Sequence, residues 1–109
     1  MEKQKVMVLT RVWSKNDPIR STVERISTTA EPIIQYIEEH WFGNYDRKIE
    51  LTSNLWHNDY AWATGTDKIT EYLNSVNQGR YYIKTTAKLF EEDDEIEEQI
   101  YQITFRNLY

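Results

Sequence analysis

Two runs in the last third of the chain alternate apolar and polar residues, and they restrict the fold more than any other stretch. From Arg80 to Phe90 the residues Tyr81, Ile83, Thr85, Ala87 and Leu89 fall on one side of an extended chain. From Ile96 to Phe105, Tyr101, Ile103 and Phe105 answer them. A period of two marks a strand with one covered face. Two such runs with a short connection form an antiparallel hairpin. Between them lie Glu91, Glu92, Asp93, Asp94, Glu95, Glu97 and Glu98, seven of the chain's 18 acidic residues. The flanking runs tie this block to a sheet, so its charge is expected at a hairpin tip and not on a loose tail.

The remaining segments supply the rest of that sheet and its cover. The run from Val6 to Trp13 is apolar on both alternating faces through its first half, as in a central strand covered on two sides. The stretch from Ser14 to Pro18 is turn chemistry. The run from Ile19 to Ser27 reads as a more exposed strand, of the kind that pairs across a two-fold axis. A helix is expected from Glu31 to Phe42. Thr28 or Thr29 would cap it, Pro32 is tolerated in its first turn and Gly43 would stop it. Its buried stripe is Ile33, Ile34, Ile37 and Trp41, with Gln35, Glu38 and Glu39 toward water. A strand from Arg47 to Trp56, a turn at His57, Asn58 and Asp59, and a short return strand from Tyr60 to Thr64 follow. Thr66 and Asp67 then open a second helix. Ile69, Tyr72, Leu73 and Val76 line its buried face, and Gly79 ends it.

The expected fold is α+β: a mainly antiparallel sheet of about six strands, in the order ββαββαββ, with two helices packed on one face. The likeness between the stretch from Leu9 to Trp13 and that from Leu51 to Trp56 is that of two amphipathic strands, not of a repeat.

Composition narrows the function classes. A chain of 109 residues is expected to form one domain. Only 39% of it is apolar, but four Trp, three Phe and eight Tyr each bury a large area and make a core feasible. A net charge of −5 argues against direct binding to nucleic-acid phosphates or anionic lipid. With no cysteine, disulfides, thiolate zinc sites, iron–sulfur clusters and cysteine nucleophiles are excluded. The first residues form too short an apolar run for a signal peptide, and no stretch reaches membrane-spanning length. A cytoplasmic protein without membrane contact is expected.

No motif fixes a reaction. His57 beside Asp59 has the elements of a general base oriented by a carboxylate, but no nucleophile motif accompanies it, and the pair reads as an exposed turn. His40, at a helix end, reads as structural. No zinc-protease, EF-hand or P-loop spacing occurs, so no enzyme activity, metal or cofactor is expected. Trp56, Tyr60 and Trp62 resemble a stacking platform for bases, yet the residues between are His57, Asn58, Asp59 and Ala61 rather than Lys and Arg. With Trp41 they would instead line an aromatic pocket between the helix from Glu31 to Phe42 and the sheet, the basis of a small-molecule-binding alternative. Tyr36 and Tyr45 are expected near the surface.

The acidic block carries the sharper expectation. Its simplest use is to keep a sheet edge soluble. Carboxylates arrayed on a rigid hairpin, joined by Glu38 and Glu39, also imitate phosphate spacing. Such a surface suits a small non-enzymatic inhibitor, of a phage or mobile-element kind, that occludes the basic groove of a host protein handling nucleic acid. Calcium binding is disfavoured, because no glycine-turned loop sets the ligand spacing.

Overall fold

A computed structural model describes residues 4–14, 22–53, 63–92 and 94–108. The elements are β1 (Gln4–Ser14), β2 (Thr22–Ser27), α1 (Ala30–Glu39), β3 (Tyr45–Thr52), β4 (Ala63–Thr64), α2 (Thr66–Ser75), β5 (Arg80–Lys88) and β6 (Glu97–Leu108). They form one antiparallel sheet in the order β2-β1-β6-β5-β3-β4. Five of these strands are substantial. The sixth, β4, is two residues long, so the expected return strand from Tyr60 survives only as this short pairing among the described residues.

The alternation of the last two strands sets the sheet's polarity. Tyr81, Ile83, Thr85 and Ala87 are all buried. Tyr81 pairs with Ile103 and Ile83 with Tyr101, so both strands turn the same face inward. On the other side of β6, Leu9 pairs with Ile103 and Met7 with Phe105, which extends that face to β1. Both helices cover it. Ala30, Ile33, Ile34 and Ile37 of α1 and Ile69 and Leu73 of α2 join Met7, Leu9, Ile49, Leu51, Tyr81, Ile83, Tyr101 and Ile103 in one core. Val6 and Val8 are buried on the opposite face, in keeping with a strand covered on two sides.

Both helices are shorter than their apolar stripes suggest. The first ends at Glu39, not Phe42, and His40 closes it through its N–H to the Tyr36 carbonyl at 3.1 Å. The following residues unwind to dock on β5. Trp41 Nε1 donates to the Thr86 carbonyl at 3.2 Å, and Asn44 N–H to the Lys88 carbonyl at 3.1 Å. Gly43, with φ 106°, sits where a Cβ would meet the Lys88 carbonyl oxygen at 2.7 Å. The glycine therefore serves a close approach to β5 as well as a helix stop. In α2 the helix ends at Ser75, and Val76 is extended while still packing on the core.

The N-terminus of α1 is capped from the other helix. Thr29 occupies the N-cap position but makes no side-chain cap hydrogen bond. Instead the Ala30 N–H donates to Asn74 Oδ1 at 2.9 Å, and Asn74 Nδ2 donates to Glu31 Oε1 at 2.7 Å. Its own backbone N–H, then this amide, hold the Glu31 carboxyl below the usual carboxylate range. Asn74→Ala is therefore expected to lower stability by about 1 kcal/mol, and Thr29→Ala by less than half of that, as read by urea denaturation. Equal losses for the two would exclude the inter-helix cap.

Burial pushes the Tyr101 phenol up to about 12, from an ordinary value of 10.0. The unfolded chain thus ionises first as pH rises. The stability this group contributes is complete below about pH 10 and is lost on the way to pH 12. Burial also raises Tyr36 and Tyr81, so tyrosinate absorbance should show several tyrosines titrating above the ordinary range in the native protein, and Tyr101→Phe should remove the last step.

Candidate protein-binding surface

The end of the β5–β6 hairpin lies beyond both the ladder and its cover. β5 ends at Lys88 and β6 begins at Glu97, leaving residues 89–96 beyond the ladder. Leu89, expected on the buried face, is exposed, because it lies past the last β5–β6 pair, Ala87 with Glu97. Phe90 is 66% and Ile96 51% exposed. Two neighbouring segments end at the same end of the sheet. Tyr45, at the start of β3, pairs with Lys88 and is exposed. Phe42, also exposed, precedes Gly43, whose backbone lies against Ala87 and Lys88. Of the seven large hydrophobic side chains exposed among the described residues, these five share one end of the sheet. Isolated exposed apolar residues are ordinary, but a gathered set marks a contact surface.

Carboxylates rim this apolar set. Glu91, Glu92, Asp94 and Glu95 are exposed on the connection, while Asp93 lies outside the described residues. Glu38 and Glu39 are exposed in the last turn of α1, immediately before the segment that docks on β5. That turn carries no basic residue, so the two charges stand at the unfavourable negative end of the helix dipole, offset only where Gln35 Nε2 donates to Glu39 Oε1 at 3.2 Å.

The acidic block itself divides. Glu97 is opposite Ala87 on the helix-covered face and only 7% exposed. Glu98 is on the other face, half-buried, and pairs with Lys84 at 3.7 Å. Neither belongs to the displayed set, which corrects the expectation that all seven acids are shown. An acidic run reads as exposed throughout, yet once the ladder starts every second residue faces the core side.

Two cations at this end, Arg47 and Lys88, are held in place. The Arg47 guanidinium lies over the Trp41 ring at 5.1 Å, with Nε donating to the Gly43 carbonyl at 2.8 Å and Nη2 to Asn44 Oδ1 at 2.9 Å. Lys88 Nζ is 3.3 Å from Asp46. Asp46 has a left-handed backbone, φ 52°, within the irregularity that shifts β3 between Tyr45 and Lys48. A cleft of about 630 Å³ lies there, lined by Asp46, Arg47, Lys48, Thr86, Ala87, Lys88 and Ile96. Its walls mix charged and aliphatic side chains with no aromatic ring among them, unlike an aromatic ligand pocket.

The other sequence candidates separate. Trp56, His57, Asp59, Tyr60 and Trp62 lie outside the described residues. Trp41 of that proposed pocket packs instead between Arg47 and β5. His40 is exposed and stacked on Tyr36 at 4.0 Å, with Nδ1 2.9 Å from the Tyr36 carbonyl oxygen, a local helix-end arrangement. Tyr36 is half-buried and donates to Glu24 Oε2 at 2.7 Å, whereas Tyr45 is exposed as expected. Among the described residues no cluster of three or more metal-ligating side chains occurs, and no helix is long and apolar enough to cross a membrane.

Sequence reasoning missed Phe42, Phe90 and Ile96 as surface residues. The available signal was that Phe90 and Ile96 directly bracket the acidic run, where the chain has to leave the sheet. If these side chains serve contact and not folding, Phe90→Ser and Ile96→Ser should change stability by no more than about 0.5 kcal/mol. Ile83→Ala in the core should cost about 2–5 kcal/mol in the same urea titrations. The chain matches no protein-family model, no curated protein and no solved structure.

Proposed function

We propose that this chain is a non-enzymatic protein-binding module whose hairpin end docks on the basic surface of a nucleic-acid-handling protein and occludes it. The observation that carries this reading is the gathering of Phe42, Tyr45, Leu89, Phe90 and Ile96 inside a rim of exposed carboxylates. An apolar centre within a charged rim is the anatomy of a protein interface, and aromatic side chains are its usual anchors. The carboxylates steer the approach and repel acidic partners, while the apolar residues supply short-range adhesion. Seated on the end of a hairpin, the charges stand at fixed spacing, so a groove built for phosphates meets them without ordering a loose segment. Direct binding to nucleic acid is disfavoured by the same rim.

The test is affinity capture from host lysate at about 50 mM and about 500 mM salt, where screening lengths differ severalfold. The wild-type chain should retain a basic nucleic-acid-binding protein at low salt and lose most of it at high salt. The variant Glu91→Lys, Glu92→Lys, Asp94→Lys, Glu95→Lys should keep its melting temperature and lose the capture. In a gel-shift assay the wild-type chain, and not the variant, should displace nucleic acid from the captured protein. Equal capture by both chains, or a captured protein without nucleic-acid affinity, would exclude occlusion by the acidic rim.

A further inference from the structure

The two remaining exposed apolar side chains stand far from the hairpin end, on the outer strand of the sheet. Val23 is 61% and Ile26 59% exposed, both on β2. Among the described residues β2 pairs with β1 alone and closes one edge of the sheet. Of the devices that protect an edge, β2 contains neither lysine nor proline. It does carry an irregularity, and that irregularity determines what the edge fits.

Val8 pairs with Ile26 and Leu9 with Arg25, but Thr10 pairs with Val23, so Glu24 is the extra residue of a bulge. Ile26 and Val23 stand opposite Val8 and Thr10, which face away from the helices. Arg25 stands opposite Leu9 on the helix side, and Glu24 reaches the helix side too, receiving the Tyr36 hydroxyl at 2.7 Å. Along β2 the side chains from 23 to 26 therefore run away, toward, toward, away. That sequence of faces reads the same in both directions.

We infer that β2 pairs antiparallel with β2 of a second copy about a two-fold axis between Glu24 and Arg25, making the chain a symmetric dimer. In this register Val23 lies opposite the partner's Ile26, and Glu24 opposite the partner's Arg25. Faces agree at both positions: apolar meets apolar on the open side, and opposite charges meet on the helix side. A regular strand has no such solution, because residues one apart point to opposite faces and the two-fold preserves faces. The bulge supplies the missing step. Shifting the register by one residue either way places Glu24 against Glu24 or Arg25 against Arg25, and sets apolar residues against charged ones. The occupant of this edge is thus a second copy, chosen by charge and face together. Both Glu24 oxygens are already engaged, Oε2 by the Tyr36 hydroxyl and Oε1 by Arg11 Nε at 3.4 Å, so the partner's Arg25 shares the carboxylate with them.

The inference is independent of the hairpin-end reading, and its test uses the whole chain. Sedimentation at about 100 µM protein should give the mass of two chains. Val23→Lys and Arg25→Glu should each weaken the dimer at least about tenfold while leaving the melting transition in place, since both side chains are exposed. The chain has no cysteine, so disulfide trapping reads the register directly. The double variant Val23→Cys, Ile26→Cys should yield a covalent dimer on mild oxidation, because opposed residues lie within bridging distance. Val23→Cys alone should not. A monomer at every concentration would overturn the inference, as would a dimer indifferent to Val23→Lys. Equal trapping by the single and double cysteine variants would overturn this register.

Discussion

The pairing of β6 with β1 on one side and β5 on the other is the interaction on which the remainder depends. Ile103 stands in register with buried Leu9 and Tyr81, and Tyr101 with buried Ile83 and half-buried Arg11, so one strand aligns the inward faces of three. The helices have a continuous floor because of that alignment. Residues such as Ile33, Ile37, Ile69 and Leu73 are fully enclosed between it and one another. The same strand fixes where the hairpin leaves the ladder, and so which acids are displayed.

Much of this was legible in the sequence, and the reasons differ by element. The inner faces of β5 and β6 could be read residue by residue, because a half-covered antiparallel strand writes its burial directly as alternation. The helix stripes were equally plain. What the sequence did not disclose depends on contacts between distant segments. The stop at Glu39 follows from Trp41 and Asn44 docking on β5, and a longer apolar stripe conceals it. The cap on α1 comes from Asn74, far along the chain, so nearby threonines drew attention instead. At the surface, alternation runs on through Leu89 although the β5–β6 pairing ends at Ala87, and local pattern carries no record of where a pairing stops.

Charge is unevenly divided between the two sides of the molecule. The helices present Glu31, Glu38, Glu39, Asp67 and Glu71 against a single Lys68. On the sheet face away from the helices, alternation and register place Lys48, Arg80, Lys84 and Arg106 beside Glu50 and Glu98. Such a molecule has a direction in an electric field. A basic partner is drawn toward the helix side and the hairpin end, and away from the face of the sheet.

Joining the first strand to the last also sets a timetable. Met7 meets Phe105 across β1 and β6, so β1 emerges during synthesis long before its inner neighbour exists. Until then β2 is its one sheet partner among the described residues. The β5–β6 hairpin closes locally and early, whereas the β1–β6 seam requires almost the whole chain. Completion of the sheet therefore waits on β6, and the nascent chain passes through a period when its most apolar strand is half-dressed.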